Sequence, residues 1–265
     1  MSVIDLQNIC LKQGDFSFSS VSLSVPKGKI TGIIGPNGSG KSTLVKIIAK
    51  LIQPREGTVY IHDGLLTAMS RKELAREIAV LMQSKERVPQ MTVQELVTYG
   101  RTPHRPFYKG LSPRDHEAVH WAMDVTGIEE NADRMVYTLS GGERQKVYIA
   151  MALAQKTKTL ILDEPTTFLD IAHQLDVMEL LKELNEIHDL TVLMVLHDLQ
   201  QAAKYCDYLI AMKGGDVFQT GAPNEVMNEF FFQELYGIEA EVEIREYPRI
   251  MPIATIKKKK GGESV

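Results

Sequence analysis

The residues Lys29-Ile30-Thr31-Gly32-Ile33-Ile34 run directly into Gly35-Pro36-Asn37-Gly38-Ser39-Gly40-Lys41-Ser42-Thr43, and this junction decides the fold. The apolar run 29–34 reads as a strand and 41–51 as a helix. Between them stands G-x-x-x-x-G-K-[ST], in the strand-to-helix context that gives this spacing meaning. Glycines let the backbone turn its amides toward the β and γ phosphates of a nucleotide, and the helix start adds positive potential. Lys41 neutralises phosphate charge and Ser42 can ligate Mg²⁺. A glycine-rich turn can also merely cap a helix, but Lys-Ser in register favours a phosphate-binding loop, or P-loop. Gly35, Pro36, Asn37, Gly38, Ser39, Gly40, Lys41, Ser42 and Thr43 are therefore the candidate nucleotide-binding residues.

Outward from this junction the chain divides by periodicity. Strands are expected over 3–9 and 16–25, with Pro26-Lys27-Gly28 as the turn into 29–34, and again over 58–61 and 78–82. From 92 to 154 the spacing becomes helical (Val93, Leu96, Val97; Ala118, Trp121, Ala122, Val125), with Gly127 suited to a C-cap. Strand character returns over 159–162, 191–196 and 208–212, separated by the amphipathic segment 171–188, which implies βαβ units and a mainly parallel sheet. Lys213-Gly214-Gly215-Asp216 reads as a hairpin turn, and the lysine run 257–260 as a solvated tail.

Two further stretches carry chemistry. Leu160-Ile161-Leu162-Asp163-Glu164 is an apolar strand ending in two acids, and such an end faces the phosphate crevice of an open α/β sheet. Alone, two acids there would be a solvated turn. Downstream of a P-loop, Asp163 would hold Mg²⁺ through water and Glu164 would orient and polarise the attacking water. Leu139-Ser140-Gly141-Gly142-Glu143-Arg144-Gln145 places a hydroxyl and open amides at a helix start, which taken alone is an N-cap.

Together the three stretches resemble the ABC ATPases, with Ser140, Gly141 and Gly142 as the signature loop. The resemblance covers nearly the whole chain. It implies a P-loop NTPase core of α/β class with a mainly parallel sheet, an antiparallel β subdomain and an inserted α-helical subdomain at about 84–155. The ATPase domain then occupies 1–240, and 241–265 is a C-terminal extension ending in the lysine-rich tail. The family pattern implies a head-to-tail homodimer, in which each signature loop covers the γ-phosphate of an ATP held by the opposite P-loop. Gln83 resembles the Q-loop glutamine that contacts the metal and reports to a membrane partner, Thr167-Phe168-Leu169-Asp170 the D-loop, and His197 the switch histidine. Counting back from Val21-Ser22-Leu23 puts Gln13 where the family commonly has an adenine-stacking tyrosine; Phe16 is either its substitute or a core residue.

Tyr99-Gly100-Arg101-Thr102-Pro103-His104 and Pro165-Thr166-Thr167-Phe168-Leu169-Asp170-Ile171-Ala172-His173-Gln174 look like the branch that energises iron-siderophore, haem and cobalamin importers. That resemblance implies two permease subunits docked near 83–110, an extracytoplasmic substrate-binding protein acting through them, and a peripheral position on the cytoplasmic face of the membrane. A soluble nucleotide-dependent switch and an exporter ATPase are the alternatives; the single P-loop and compact motif spacing speak against the first.

Composition agrees with this reading. A net charge of −4 with 24% charged residues gives no basic excess for nucleic acid. Cys10 and Cys206, far apart, form no disulfide framework and read as buried thiols in a reducing compartment. The N-terminus has no leader-like pattern and no run reaches membrane-span length. His62, His104, His116, His120, His173 and His188 pair with no cysteine at metal-ligand spacing.

Overall fold

The computed structural model describes residues 1–82, 88–105 and 110–256. β1 (Ser2–Gln13) and β2 (Phe16–Pro26) pair antiparallel. Along β2, Phe18, Val21, Leu23 and Val25 turn inward while serines alternate outward, the pattern of a sheet with one wet face. β1 runs four residues past the expected end at 9: Asn8 takes a left-handed φ of 52° at a register shift, a conformation asparagine tolerates, and pairing then resumes.

β3 (Ile30–Ile34) leaves this layer for a second sheet and leads through the P-loop into α1 (Lys41–Ile48). α1 ends three residues before the expected 51. Lys50 adopts φ 57° and the Leu51 N–H turns back to the Lys46 carbonyl, a left-handed helix ending. β4 (Glu56–Ile61) and β5 (Gly64–Leu65) complete the first sheet in the order β2-β1-β4-β5. α2 (Arg71–Glu77) follows, started by a reciprocal capping box between Ser70 and Glu73 that the sequence reading passed over.

The second sheet holds β6 (Ile78–Leu81), β7 (Thr159–Asp163), β8 (Thr191–Val195), β9 (Tyr208–Lys213) and β10 (Asp216–Gly221), in the order β10-β9-β3-β8-β7-β6. Its pairs are parallel except the β9–β10 hairpin at 213–216. Every residue of β3, β7 and β8 is buried, because both faces are covered. On one face, Leu44, Val45, Ile47 and Ile48 of α1 share a core with Ile4 and Ile9 of the first sheet and Ile33, Ile161 and Leu193 of the second. On the other pack α3 (Val93–Tyr99), α4 (Pro113–Val125), α5 (Gly141–Leu153), α6 (Ile171–His188) and α7 (Leu199–Tyr205). Gly127, just past α4, has φ 65°, as a C-cap glycine does.

α8 (Pro223–Val226) and α9 (Glu229–Tyr236) lead into a separate ribbon, β11 (Ile238–Ile244) with β12 (Pro248–Thr255). The domain boundary expected after 240 falls inside β11. Among the described residues no helix is long and apolar enough to cross a membrane. Cys206 is buried as expected, whereas Cys10 is only half-buried, its thiol donating to the Ser19 carbonyl at 2.8 Å.

Candidate functional site

β3 delivers the P-loop at its C-terminal end, where a parallel sheet opens its ligand crevice. Gly35 turns at φ 144°, and a Cβ there would lie 2.2 Å from the Met212 carbonyl, so the loop passes against β9 in a way only glycine allows. Gly40, at φ 103°, starts α1 beneath the rings of Phe16 and Phe18. α5, α6 and α7 are capped by the side chains of Ser140, Asp170 and Asp198, whereas α1 has neither a side-chain cap nor an acid in its first turn. Its first N–H groups are thus available to an anion. The buried Lys41 ammonium donates to the carbonyls of Gly35 (2.8 Å) and Pro36 (3.0 Å). Burial pushes its pKa below the ordinary lysine value, while the carboxylates of Glu164 and Asp163 pull the other way.

β7, two strands from β3, sets the acids opposite the loop. Ser42 Oγ donates to Asp163 Oδ1 at 3.1 Å. Burial raises the Asp163 pKa, with the charge of Glu164 adding to it and the Ser42 hydrogen bond opposing. A buried, undercompensated carboxylate beside a hydroxyl is a hard oxygen pair that fits Mg²⁺. The chain then kinks: Glu164 has φ 57°, a conformation that costs a non-glycine residue about 1–2 kcal/mol. The kink aims Glu164 at His197, at the end of the neighbouring β8, with Nε2 to Oε1 at 2.6 Å, while Thr167 Oγ1 donates to Oε2 at 3.0 Å. Burial alone would raise the Glu164 pKa, but the His197 contact and Thr167 outweigh it and hold the carboxylate below its ordinary range.

The loop 140–142 lies elsewhere. Ser140 Oγ accepts from the Glu143 N–H at 3.2 Å, and Glu143 accepts the Ser140 N–H at 2.8 Å. Among the described residues no hydrogen bond joins this loop to 35–43. The two glycines differ. A Cβ on Gly141 would meet only Leu169 Cδ2 at 3.5 Å, whereas one on Gly142 would overlap the His173 ring at 1.9 Å. His173 is itself held by Asp170, through backbone N–H (2.9 Å) and Nδ1 (2.8 Å). Beside them Phe168 is 90% exposed and Ile171 77%, an apolar strip on an otherwise polar turn.

Sequence reasoning missed the groups that tie these pieces together. Gln201 of α7 accepts from Thr166 Oγ1 (3.1 Å) and donates to Gln174 Oε1 (2.7 Å), and Gln174 donates to the Leu169 carbonyl (2.9 Å), joining the His197 segment to the turn 166–170. Tyr236 of α9 receives the backbone N–H of Gly35; burial nevertheless pushes its phenol pKa up. Gln174 stood inside a quoted motif; Gln201 and Tyr236 carried no local signal. Gln83, expected to ligate metal and report to a partner, lies outside the described residues, as does the lysine run 257–260. Among the described residues no cluster of His, Cys, Asp and Glu could hold a metal ion by itself.

Residues 18–167 match the family model described as ABC transporter. The iron(3+)-hydroxamate import ATP-binding protein FhuC of Bacillus subtilis is 43% identical, over 91% of this chain and 90% of its own length. The ferric enterobactin transport ATP-binding protein FepC of Escherichia coli is 43% identical, over 89% of this chain and 88% of its own. The dimeric structure of MJ0796, a bacterial ABC transporter cassette, superposes with a TM-score of 0.71 at 31% identity, covering 83% of this chain and 98% of that one. A family model spanning more than half of the chain, with two relatives above 40% identity along most of it, establishes that it belongs to the ABC transporter family, as an ATP-hydrolysing subunit.

Proposed function

We propose that this chain is the ATP-driven motor of a ferric-siderophore importer. It works as a homodimer on two integral membrane permease subunits at the cytoplasmic face, with an extracytoplasmic substrate-binding protein delivering cargo to the permease. The observation that carries the reading is the half-site: P-loop, Asp163, Glu164 and His197 converge, while Ser140 to Gly142 stand apart with Gly141 open. Such a subunit requires the loop of a second copy to enclose its ATP. The exposed Phe168 and Ile171 suit burial between the copies. The iron-chelate cargo follows from relatives named for ferric hydroxamate and ferric enterobactin.

In this mechanism Gly35 to Thr43 hold the phosphates, and Lys41 shifts from its two carbonyls to the β and γ oxygens. Ser42 and Asp163 would hold Mg²⁺, with Gln83 as a third ligand; the ion supplies charge neutralisation at the phosphates. Glu164 orients and polarises the attacking water, and His197 fixes the carboxylate through the 2.6 Å contact and faces the γ-phosphate. Closure of the dimer moves the helical subdomain, and phosphate release reopens it. A groove of about 690 Å³ beside α3, lined by Met91, Gln94, Glu95, Tyr99 and Leu111, with Tyr99 exposed, suits a permease loop.

Uptake of radiolabelled iron as a ferric hydroxamate, by host cells lacking this gene, tests the reading. The parent chain restores uptake and Lys41→Ala does not. Undiminished uptake without the gene, with the chain purifying free of any membrane protein, would reject it.

A further inference from the structure

The segment Gly100 to His104 stood out in the sequence, and neither the nucleotide site nor the docking groove accounts for its conformation. Thr102 faces the groove, but Arg101 and His104 turn inward, onto the far end of the helix that begins at Ser140. Gly100 lies so close to α5 that a Cβ would sit 2.0 Å from the Met151 carbonyl. Arg101 is buried; Nε binds Asp115 Oδ1 of α4 at 2.8 Å and NH1 donates to the Ala154 carbonyl at 2.6 Å. His104 Nε2 meets the Gln155 carbonyl at 2.8 Å and, facing a carbonyl, is the donor. Two side chains from one short turn thus take the last carbonyls beyond α5, which a helix cannot satisfy internally. Burial first, and then the charge of Arg101, hold the His104 pKa below the ordinary histidine value; a neutral ring keeps its Nε2 proton for this bond.

The same turn is fastened to the catalytic core from outside. Arg76 Nε donates to the Pro103 carbonyl at 3.0 Å and Lys72 Nζ to the Arg105 carbonyl at 3.1 Å, both from α2, which runs into β6. A helix of 13 residues is a rod of about 20 Å. One end is clamped by Arg101 and His104; the other is the Ser140 cap.

We infer that Arg101 and His104 are positioning residues that clamp the C-terminal end of α5, so that movement of the docking region is delivered through that helix to the signature loop at Ser140. The inference rests on the proposed docking of a permease beside α3. It assigns the inward-facing residues of this segment to transmission rather than to contact with the permease.

The test compares the tagged subunit alone with the complex it forms with its co-purifying permease in lipid nanodiscs. His104→Ala removes one donor. Arg101→Lys keeps a cation for Asp115 but shortens the reach to Ala154, so the fold is retained, as a melting curve checks. Because the P-loop is untouched, free-subunit turnover stays within about twofold of the parent and the KM for ATP is unchanged in every variant. In the complex, His104→Ala with Arg101→Lys lowers permease-stimulated kcat by about fivefold or more, the scale of an interrupted coupling element. His104→Gln, whose amide can donate to the same carbonyl, recovers most of it. Parent-like stimulation in the double variant overturns the inference. So does a double variant that no longer binds the permease, because the turn would then be a contact surface. A parent chain that captures no permease would sink the docking reading itself, and the clamp with it.

Discussion

Glu164 illustrates how a single residue is set by its backbone. With φ at 57° between a buried strand and Pro165, it cannot continue the line of β7, and its carboxylate is delivered to His197 and Thr167 instead of to Asp163's partner Ser42. The two acids of one dipeptide therefore titrate in opposite directions, Asp163 raised and Glu164 lowered. Divergent pKa values in neighbouring acids are a mark of divided roles. Glu164 is depressed, so its ionised form and the His197 contact persist through the neutral range and are lost only as pH falls below the ordinary carboxylate range. Glu164→Gln preserves shape and removes the charge proposed to polarise water. ATP with Mg²⁺, and not Mg²⁺ alone, should then hold the variant as a dimer in size-exclusion chromatography, with hydrolysis reduced on the order of a hundredfold or more. A variant that stays monomeric with ATP at high protein concentration would contradict the proposed sandwich.

At the scale of elements, the helical subdomain is held by an ion pair and by bare backbone. Asp115 is buried; burial would raise its pKa, but the Ser112 hydroxyl and Arg101 outweigh that and bring it down to about 2. Such a depressed acid stabilises the fold fully above its unfolded value near 3.8, and the contribution is lost as pH falls through about 2. Asp115→Asn should cost about 2–3 kcal/mol in urea unfolding at neutral pH, the difference from the parent shrinking in acid below pH 4; equal stabilities at pH 7 would remove the pair from the account. α5 offers a second test in adjacent residues. Gly142→Ala must displace the His173 ring and should lower both melting temperature and turnover, while Gly141→Ala makes only an ordinary contact with Leu169 and should leave the isolated subunit's melting temperature unchanged. Elements of this kind differ in how far the sequence shows them. The P-loop, the strand into Asp163 and the period of α6 are local patterns and were readable. The Ser70 and Glu73 box and the alternation Ile238-Glu239-Ala240-Glu241-Val242 were equally local signals that the reading passed over. The Gln174 to Gln201 bond, 27 residues apart, and the meeting of Tyr236 with Gly35 depend on the sheet order β10-β9-β3-β8-β7-β6, which no window of sequence contains.

At the scale of the whole molecule, the proposed mechanism divides its site between two groups of residues that one subunit does not join. The half at Lys41, Asp163, Glu164 and His197 is tied by hydrogen bonds among P-loop, β7 and β8, and the half at Ser140 to Gly142 is held by its own capping box. Substitutions in the two halves should therefore complement each other between subunits. Lys41→Ala removes the buried cation that compensates the phosphates, at roughly 3 kcal/mol or more, and abolishes hydrolysis by its own P-loop. A Cβ on Gly141 makes only an ordinary contact with Leu169, so the Gly141→Asp monomer should fold and bind ATP like the parent. Its carboxylate should nevertheless repel the γ-phosphate of the facing subunit, lowering turnover on the order of a hundredfold, as loss of a positioned anion-stabilising contact does. In a mixture of the two variants, each heterodimer pairs the intact P-loop of the Gly141→Asp chain with the intact signature loop of the Lys41→Ala chain. One competent site is restored, and random pairing makes about half of the dimers mixed, so activity should return to about a quarter of the parent's if the sites act independently. A mixture no more active than either variant, with heterodimers demonstrated by differential tagging, would mean that both sites must fire together. A Gly141→Asp protein that hydrolyses ATP like the parent while bound to its permease would instead reduce the loop to a helix cap and leave the P-loop half acting alone.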